Sequence, residues 1–235
     1  MSESGRRQGE VTREAILLAA ETVFAEHGFG GARVDAIADL SGYNKNLIFR
    51  YFGDKLGLYA EVLRHADREM SELQARMLVP VFEDEPMTSL ATAIGAIFDY
   101  LVEHPRFLRI LTWEMAEGWQ TTATIISERD RGEVEQFRPL LSQAQRAGRF
   151  RSSFVPVIQL TMVLQICQSY LAFLPLYRML LPGEDVSSAE ALAHAREYIV
   201  TLLVQGMMVE QDGAKPEKNQ RERPKERNGN TKWKR

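Results

Sequence analysis

VDAIADLSGYNKNLIFRYFGDKLGLY, residues 34–59, is the most informative stretch of the chain. Val34, Ile37 and Ala38 recur at i, i+3 and i+4, which marks the inner face of a short helix. Ser41-Gly42 is a turn. Asn44 suits an N-cap, because its side-chain oxygen can accept from an amide of the first helical turn; a further short helix then runs from Lys45 to Phe52. Gly53 ends that helix and Asp54 caps a long one, LGLYAEVLRHADREMSELQARML. Two short helices joined by a glycine-containing turn have the helix-turn-helix layout, whose second helix can enter a DNA major groove. That second helix exposes Lys45, Asn46, Arg50 and Tyr51 around an inward pair, Ile48 and Phe52.

Outward from this stretch the dominant period stays helical. Upstream, Ile16, Ala20, Val23 and Phe24 form one apolar stripe that ends at His27-Gly28. Downstream, Pro80 to Pro86 is an acidic connector, and Leu90, Ile94, Ile97 and Leu101 define a helix ending at His104-Pro105. Phe107 to Met115 reads as helix. Thr121 to Ala147 reads as one helix or two, since Gly132 and Pro139 interrupt it. Phe154 to Leu181 is the most apolar helix, with a kink expected at Pro175. Ser187 with Glu190 forms a capping box for a last helix of about Ser188 to Val209. No alternating strand pattern appears, so the expected class is all-α.

The composition fits a folded protein. Hydrophobic residues are 45% and charged residues 26% of the 235, enough apolar material for a core. The single cysteine, Cys167, excludes a disulfide framework and fits a reducing compartment. No apolar run reaches the roughly 18 residues of a membrane span, and MSESGRRQGEVTRE lacks the apolar core of a signal peptide, so a cytoplasmic protein without membrane association is expected. The net charge of −3 hides an asymmetry: residues 212–235 carry nine Lys/Arg against four Asp/Glu. That tail has too few apolar residues to offset ordering entropy and is expected to be disordered. The rest of the chain is acidic, which excludes a protein that coats nucleic acid generally but allows a local reading head.

The longer string, REAILLAAETVFAEHGF followed by VDAIADLSGYNKNLIFRYFGDKLGLY, resembles the N-terminal DNA-binding domain of the TetR family of bacterial transcriptional regulators. The match covers about residues 12–62 and rests on Ile16-Leu17, Ala19-Ala20, Phe24, Gly28, Ile37-Ala38, Gly42, Phe49, Phe52, Lys55 and Leu58. The resemblance implies a head over residues 1–55 with an arm over 1–9, a helical ligand-binding and dimerisation domain over 56–211, and the tail over 212–235. It also implies that Lys45, Asn46 and Leu47 face the groove, where lysine suits guanine, asparagine suits adenine and an apolar group suits a thymine methyl. Tyr51 and Lys55 then take phosphate. Two positions depart from the family pattern. Ala32-Arg33 replaces its usual threonine cap, leaving Arg33 to approach phosphate as a charge. Phe49 replaces its usual tyrosine, leaving Tyr51 or Arg50 to supply that contact, with Phe49 in the core.

Other chemistries find little support. The four histidines lack partners at metal-ligand spacing, so no metal site is expected. Cys167 sits on an apolar helix and reads as core; no catalytic residue and no cofactor is expected. Phe98, Phe107, Leu111, Trp113, Met115 and Trp119 offer an aromatic, flexible lining for a small-molecule effector. Glu114 shares the face of Phe107, Ile110 and Leu111, which leaves two arrangements open. Either the helix is turned so that Glu114 reaches water or an arginine, or a buried carboxylate meets a donor or cation on the ligand.

The last two helices read as a homodimer module. Val155, Ile158, Met162, Ile166, Phe173 and Tyr177 form one seam, and the final helix carries Leu192, Ile199 and Leu203 on one side with Ala193, Val200 and Val204 on another. The reading is a dimeric regulator, a repressor in the first instance, that binds a palindromic double-stranded operator and is released by a small apolar or aromatic effector. The alternative is a small-molecule-handling helical enzyme or carrier with a vestigial helix-turn-helix.

Overall fold

The computed structural model describes residues 3–65, 86–125, 146 and 156–207. Among the described residues every regular element is a helix. We number them α1 (Glu3–Gly31), α2 (Val34–Ser41), α3 (Lys45–Phe52), α4 (residues 55–65), α5 (Pro86–Glu103), α6 (Pro105–Ala116), α7 (Gln120–Ile125), α8 (Pro156–Ala172), α9 (Leu174–Leu180) and α10 (Ala189–Met207).

The chain builds two apolar cores. The head core gathers the α1 stripe with Ile37, Ile48, Phe52, Leu58, Tyr59 and Val62. It therefore takes in α4 residues beyond position 55. α1 begins at Glu3, so helix runs through most of the stretch expected as an arm. The α1 backbone breaks at Gly28, where φ is 65°, a left-handed value that glycine adopts without a Cβ penalty. The body core is made by Leu90, Ile94, Ile97 and Leu101 of α5 with Phe107, Leu111, Val163, Cys167, Leu171 and the inner face of α10. Burying each Ile or Phe side chain contributes about 1.5–3 kcal/mol over leaving it exposed. α6 joins the two cores: it packs along α1, and its Ile110 belongs to the head core.

Several boundaries differ from the sequence reading. Pro175 does not kink one long helix; the chain divides at Phe173, and Pro175 lies in the first turn of α9, where its missing N–H costs nothing. Ser188, not Ser187, caps α10: its Oγ accepts from the Ala191 amide at 3.2 Å, while the Ser187 amide and hydroxyl are both taken by Asp185 at 3.1 Å. Val204 is buried in the body core and Val200 packs against it, so they do not form a second, outward face of α10. The outward apolar pair is Tyr198 and Leu202, 70% and 50% exposed. In the expected seam, Ile158, Met162 and Phe173 are exposed, whereas Ile166 packs partly against the body core. Val155, Val209, the tail over 212–235, and the stretch from Ser127 to Gln145 with Ala147 lie outside the described residues.

Candidate nucleic-acid interface

α3 is positioned from beneath and capped from the front. Ile48 and Phe52 are buried, and Phe49 packs half-buried beside them, as core rather than as a phosphate ligand. Asn44 Oδ1 accepts from the Leu47 amide at 2.9 Å, closing the first turn. Gly42, at φ 75°, lets the chain reverse between α2 and α3. The opposite side of α3 presents Lys45, Asn46, Leu47, Arg50 and Tyr51, with Asn46, Arg50 and Tyr51 exposed.

Each outward residue has a distinct setting. Lys45 Nζ lies 3.0 Å from both carboxylate oxygens of Asp35 on α2, an exposed pair that water and salt weaken. Arg50 has no ion pair among the described residues and points a fixed charge outward. The Tyr51 hydroxyl lies beside α1: a Cβ placed on Gly9 would stand 3.5 Å from it. Arg33 precedes α2 with extended backbone and makes no side-chain cap, as expected from the missing hydroxyl. Lys55 is less available than the sequence implies. Its Nζ sits 4.7 Å above the Phe29 ring and 3.5 Å from the Gly30 carbonyl, and burial lowers its pKa. Arg13 pairs with Glu61 and lies 5.4 Å from the Phe52 ring, fastening α1 to α4 behind the reading helix.

The seven residues expected to line an effector site do not converge. Phe98, Phe107 and Leu111 are buried in the body core, while Trp113, Met115 and Trp119 are exposed. Trp113 belongs to the joint instead. Its Nε1 donates to the Ala25 carbonyl at 3.3 Å, and its ring lies where a Cβ on Gly28 would come within 3.0 Å. Glu114 is buried away from solvent and meets no arginine among the described residues. Its Oε1 accepts from the Tyr59 hydroxyl at 2.7 Å, and its Oε2 accepts from the Thr122 amide at 3.0 Å and hydroxyl at 2.7 Å. Burial, reinforced by the Glu114 bond, raises the Tyr59 pKa and keeps its proton on the donor side. Tyr59, Thr122 and Gly28 hold this joint through contacts that periodicity does not reveal. A cavity of about 140 Å³ lies between α1, α4 and the α5–α6 corner, and of the seven only Phe107 lines it.

Cys167 is fully buried, and burial pushes its thiol up to about 12, consistent with a core residue. No group of three metal-ligating side chains occurs among the described residues. No helix among them is long and apolar enough to cross a membrane.

A capped, outward-facing helix on a compact three-helix head, tied by one helix to a separate helical body, defines a DNA-binding transcriptional regulator. Residues 16–62 match the family model described as bacterial regulatory proteins, tetR family, and residues 86–203 match the tetracyclin repressor-like C-terminal domain. The chain belongs to the TetR family. It is 31% identical over 166 residues to the HTH-type transcriptional repressor NicS of Pseudomonas putida, covering 70% of this chain and 77% of that protein. It is 39% identical over 127 residues to the HTH-type transcriptional repressor SCO4008 of Streptomyces coelicolor, covering 54% and 60% respectively. Among solved structures, the putative transcriptional regulator SCO4942 of Streptomyces coelicolor superposes with a TM-score of 0.56 at 28% identity, over 83% of this chain and 98% of that one.

Proposed function

We propose that the chain is a cytoplasmic repressor that binds a near-palindromic operator as a homodimer, is released by a small, mainly apolar effector, and catalyses no reaction. The observation that carries this reading is α3: Ile48 and Phe52 anchor it, and Lys45, Asn46 and Arg50 stand on the side away from the core. Lysine and asparagine are the side chains that distinguish guanine and adenine in the major groove. The relatives named repressors support the direction of control.

The homodimer is supported by the apolar side chains that α8 and α10 leave uncovered. Ile158 and Met162 are one turn apart on α8, as are Tyr198 and Leu202 on α10. A second copy meeting these faces would set two heads at a fixed separation. Two heads fit successive major grooves only when half-sites lie about 34–36 Å apart, or a multiple of that. An effector held near Phe98, Phe107 and Leu111 would favour a body conformation in which the separation is wrong, shifting the population off DNA. Glu114 serves in this scheme as a tie between body and head.

Selection of bound duplexes from a random pool tests the proposal. A near-palindromic consensus, bound by two chains and weakened steeply by salt, is the expected result. A pool that yields no consensus, or binding by a single chain, contradicts it.

A further inference from the structure

The cavity at the joint of α1, α4 and the α5–α6 corner carries a separate inference. Its floor is apolar: Leu17, Val62, Phe107 and Ile110 are all buried. Leu18 forms part of the wall and is 53% exposed, so one side meets water. The cavity's volume is on the order of the space that one benzene ring fills.

The rim is charged. Glu14 and Glu21, two turns apart on α1, both line the cavity. Glu14 faces His65 of α4 at 3.8 Å, and Glu21 faces Arg106 of α6, whose Nε stands 3.3 Å from Oε1. The lining carries two carboxylates, one guanidinium and two imidazoles. The Arg106–Glu21 pair also spans head and body, so whatever replaces Arg106 on Glu21 removes a contact across the joint.

We propose that this cavity binds a one-ring organic cation, with its ring on the Leu17–Phe107–Ile110 floor and its charged group on Glu21 in place of Arg106. Such a ligand makes its charged contact only where the Arg106–Glu21 pair has opened. It therefore favours that state in proportion to the difference in contacts. The effect on DNA rests on the regulator reading above; the binding itself does not.

The probe is benzylammonium, with benzyl alcohol as the neutral isostere and benzoate as the anion, titrated calorimetrically against the full-length chain. Benzylammonium should bind up to about fivefold tighter than benzyl alcohol, the range of a partly exposed ion pair, and benzoate more weakly still. Glu21→Gln should erase the preference for the cation. Leu18→Trp, at a half-exposed wall position, should fill the mouth and weaken benzylammonium about tenfold with the melting transition retained. Equal binding of the three probes, or binding unchanged in both variants, overturns the proposed site. Saturating benzylammonium should also lower operator affinity about threefold relative to potassium chloride at equal ionic strength; unchanged affinity overturns the coupling. Failure to bind any operator would refute the regulator reading instead, because probe binding is measured without DNA and decides the cavity alone.

Discussion

Tyr59 of the head donates a 2.7 Å hydrogen bond to Glu114 of the body, and both side chains are 1% exposed. The same carboxylate holds Thr122 at the start of α7 through its other oxygen. A buried carboxylate is tolerated only when its lone pairs are used, and here three donors use them. Glu114 thus clamps α4, α6 and α7 at one point, and α4 is the helix that follows the reading helix.

Removing either side of this bond should therefore be costly, and the two losses should not add. Tyr59→Phe leaves a buried carboxylate short of a donor, and hydrogen bonds to charged groups contribute about 1.5–3 kcal/mol. Glu114→Ala removes the acceptor and leaves the Tyr59 hydroxyl and the Thr122 donors unpaired. A double-mutant cycle by denaturant unfolding should give a coupling energy of about 1 kcal/mol or more between the sites. Strictly additive losses would show that the bond does not tie head to body.

The buried thiol gives a pH prediction. Burial raises the Cys167 pKa from 9.0 to about 12 in the folded chain. The native state therefore favours the protonated thiol. Its contribution to stability is fully present below 9.0 and declines as pH rises from there toward about 12, as the unfolded chain ionises first. Alkylation of Cys167 at neutral pH should follow global unfolding, appearing only as denaturant exposes the core. Rapid alkylation of the native chain would contradict its placement.

Charge around the reading helix should act without regard to base sequence. Asp35 lies 3.0 Å from Lys45, beside the proposed reading face of α3. Asp35→Ala should raise affinity for matched and unrelated duplexes alike, by up to about fivefold. Arg50→Ala should weaken both and lower the salt slope by about one. A change confined to the matched operator, in either variant, would place these residues in base recognition.

What the sequence revealed and what it concealed have the same cause, the range over which each signal acts. The Asn44 cap, the Gly42 turn and the Ile48–Phe52 anchor are set within a few residues, and α3 has the expected bounds. Ser187 and Ser188 compete for one role, and Asp185 settles it by occupying Ser187, which a capping pattern cannot foresee. Periodicity placed Glu114 on the face of Ile110 and Leu111 but could not say what that face meets. Its partner Tyr59 is 55 residues away, and no local pattern links them. Trp113 illustrates the same limit: an aromatic residue amid apolar neighbours suits a ligand pocket, yet its ring fills the space left by the missing side chain of Gly28.

On this reading α3 recognises bases through Lys45 and Asn46. The most direct measurement repeats the duplex selection with Lys45→Ala and Asn46→Ala and compares each consensus with that of the unaltered chain. Each variant should relax preference at its own position in both half-sites and leave the other positions intact. The lost discrimination should be about 1–3 kcal/mol per half-site, the range for a bidentate base contact. An unchanged consensus, with affinity lowered equally on matched and mismatched duplexes, would contradict the assignment and move base recognition off this helix.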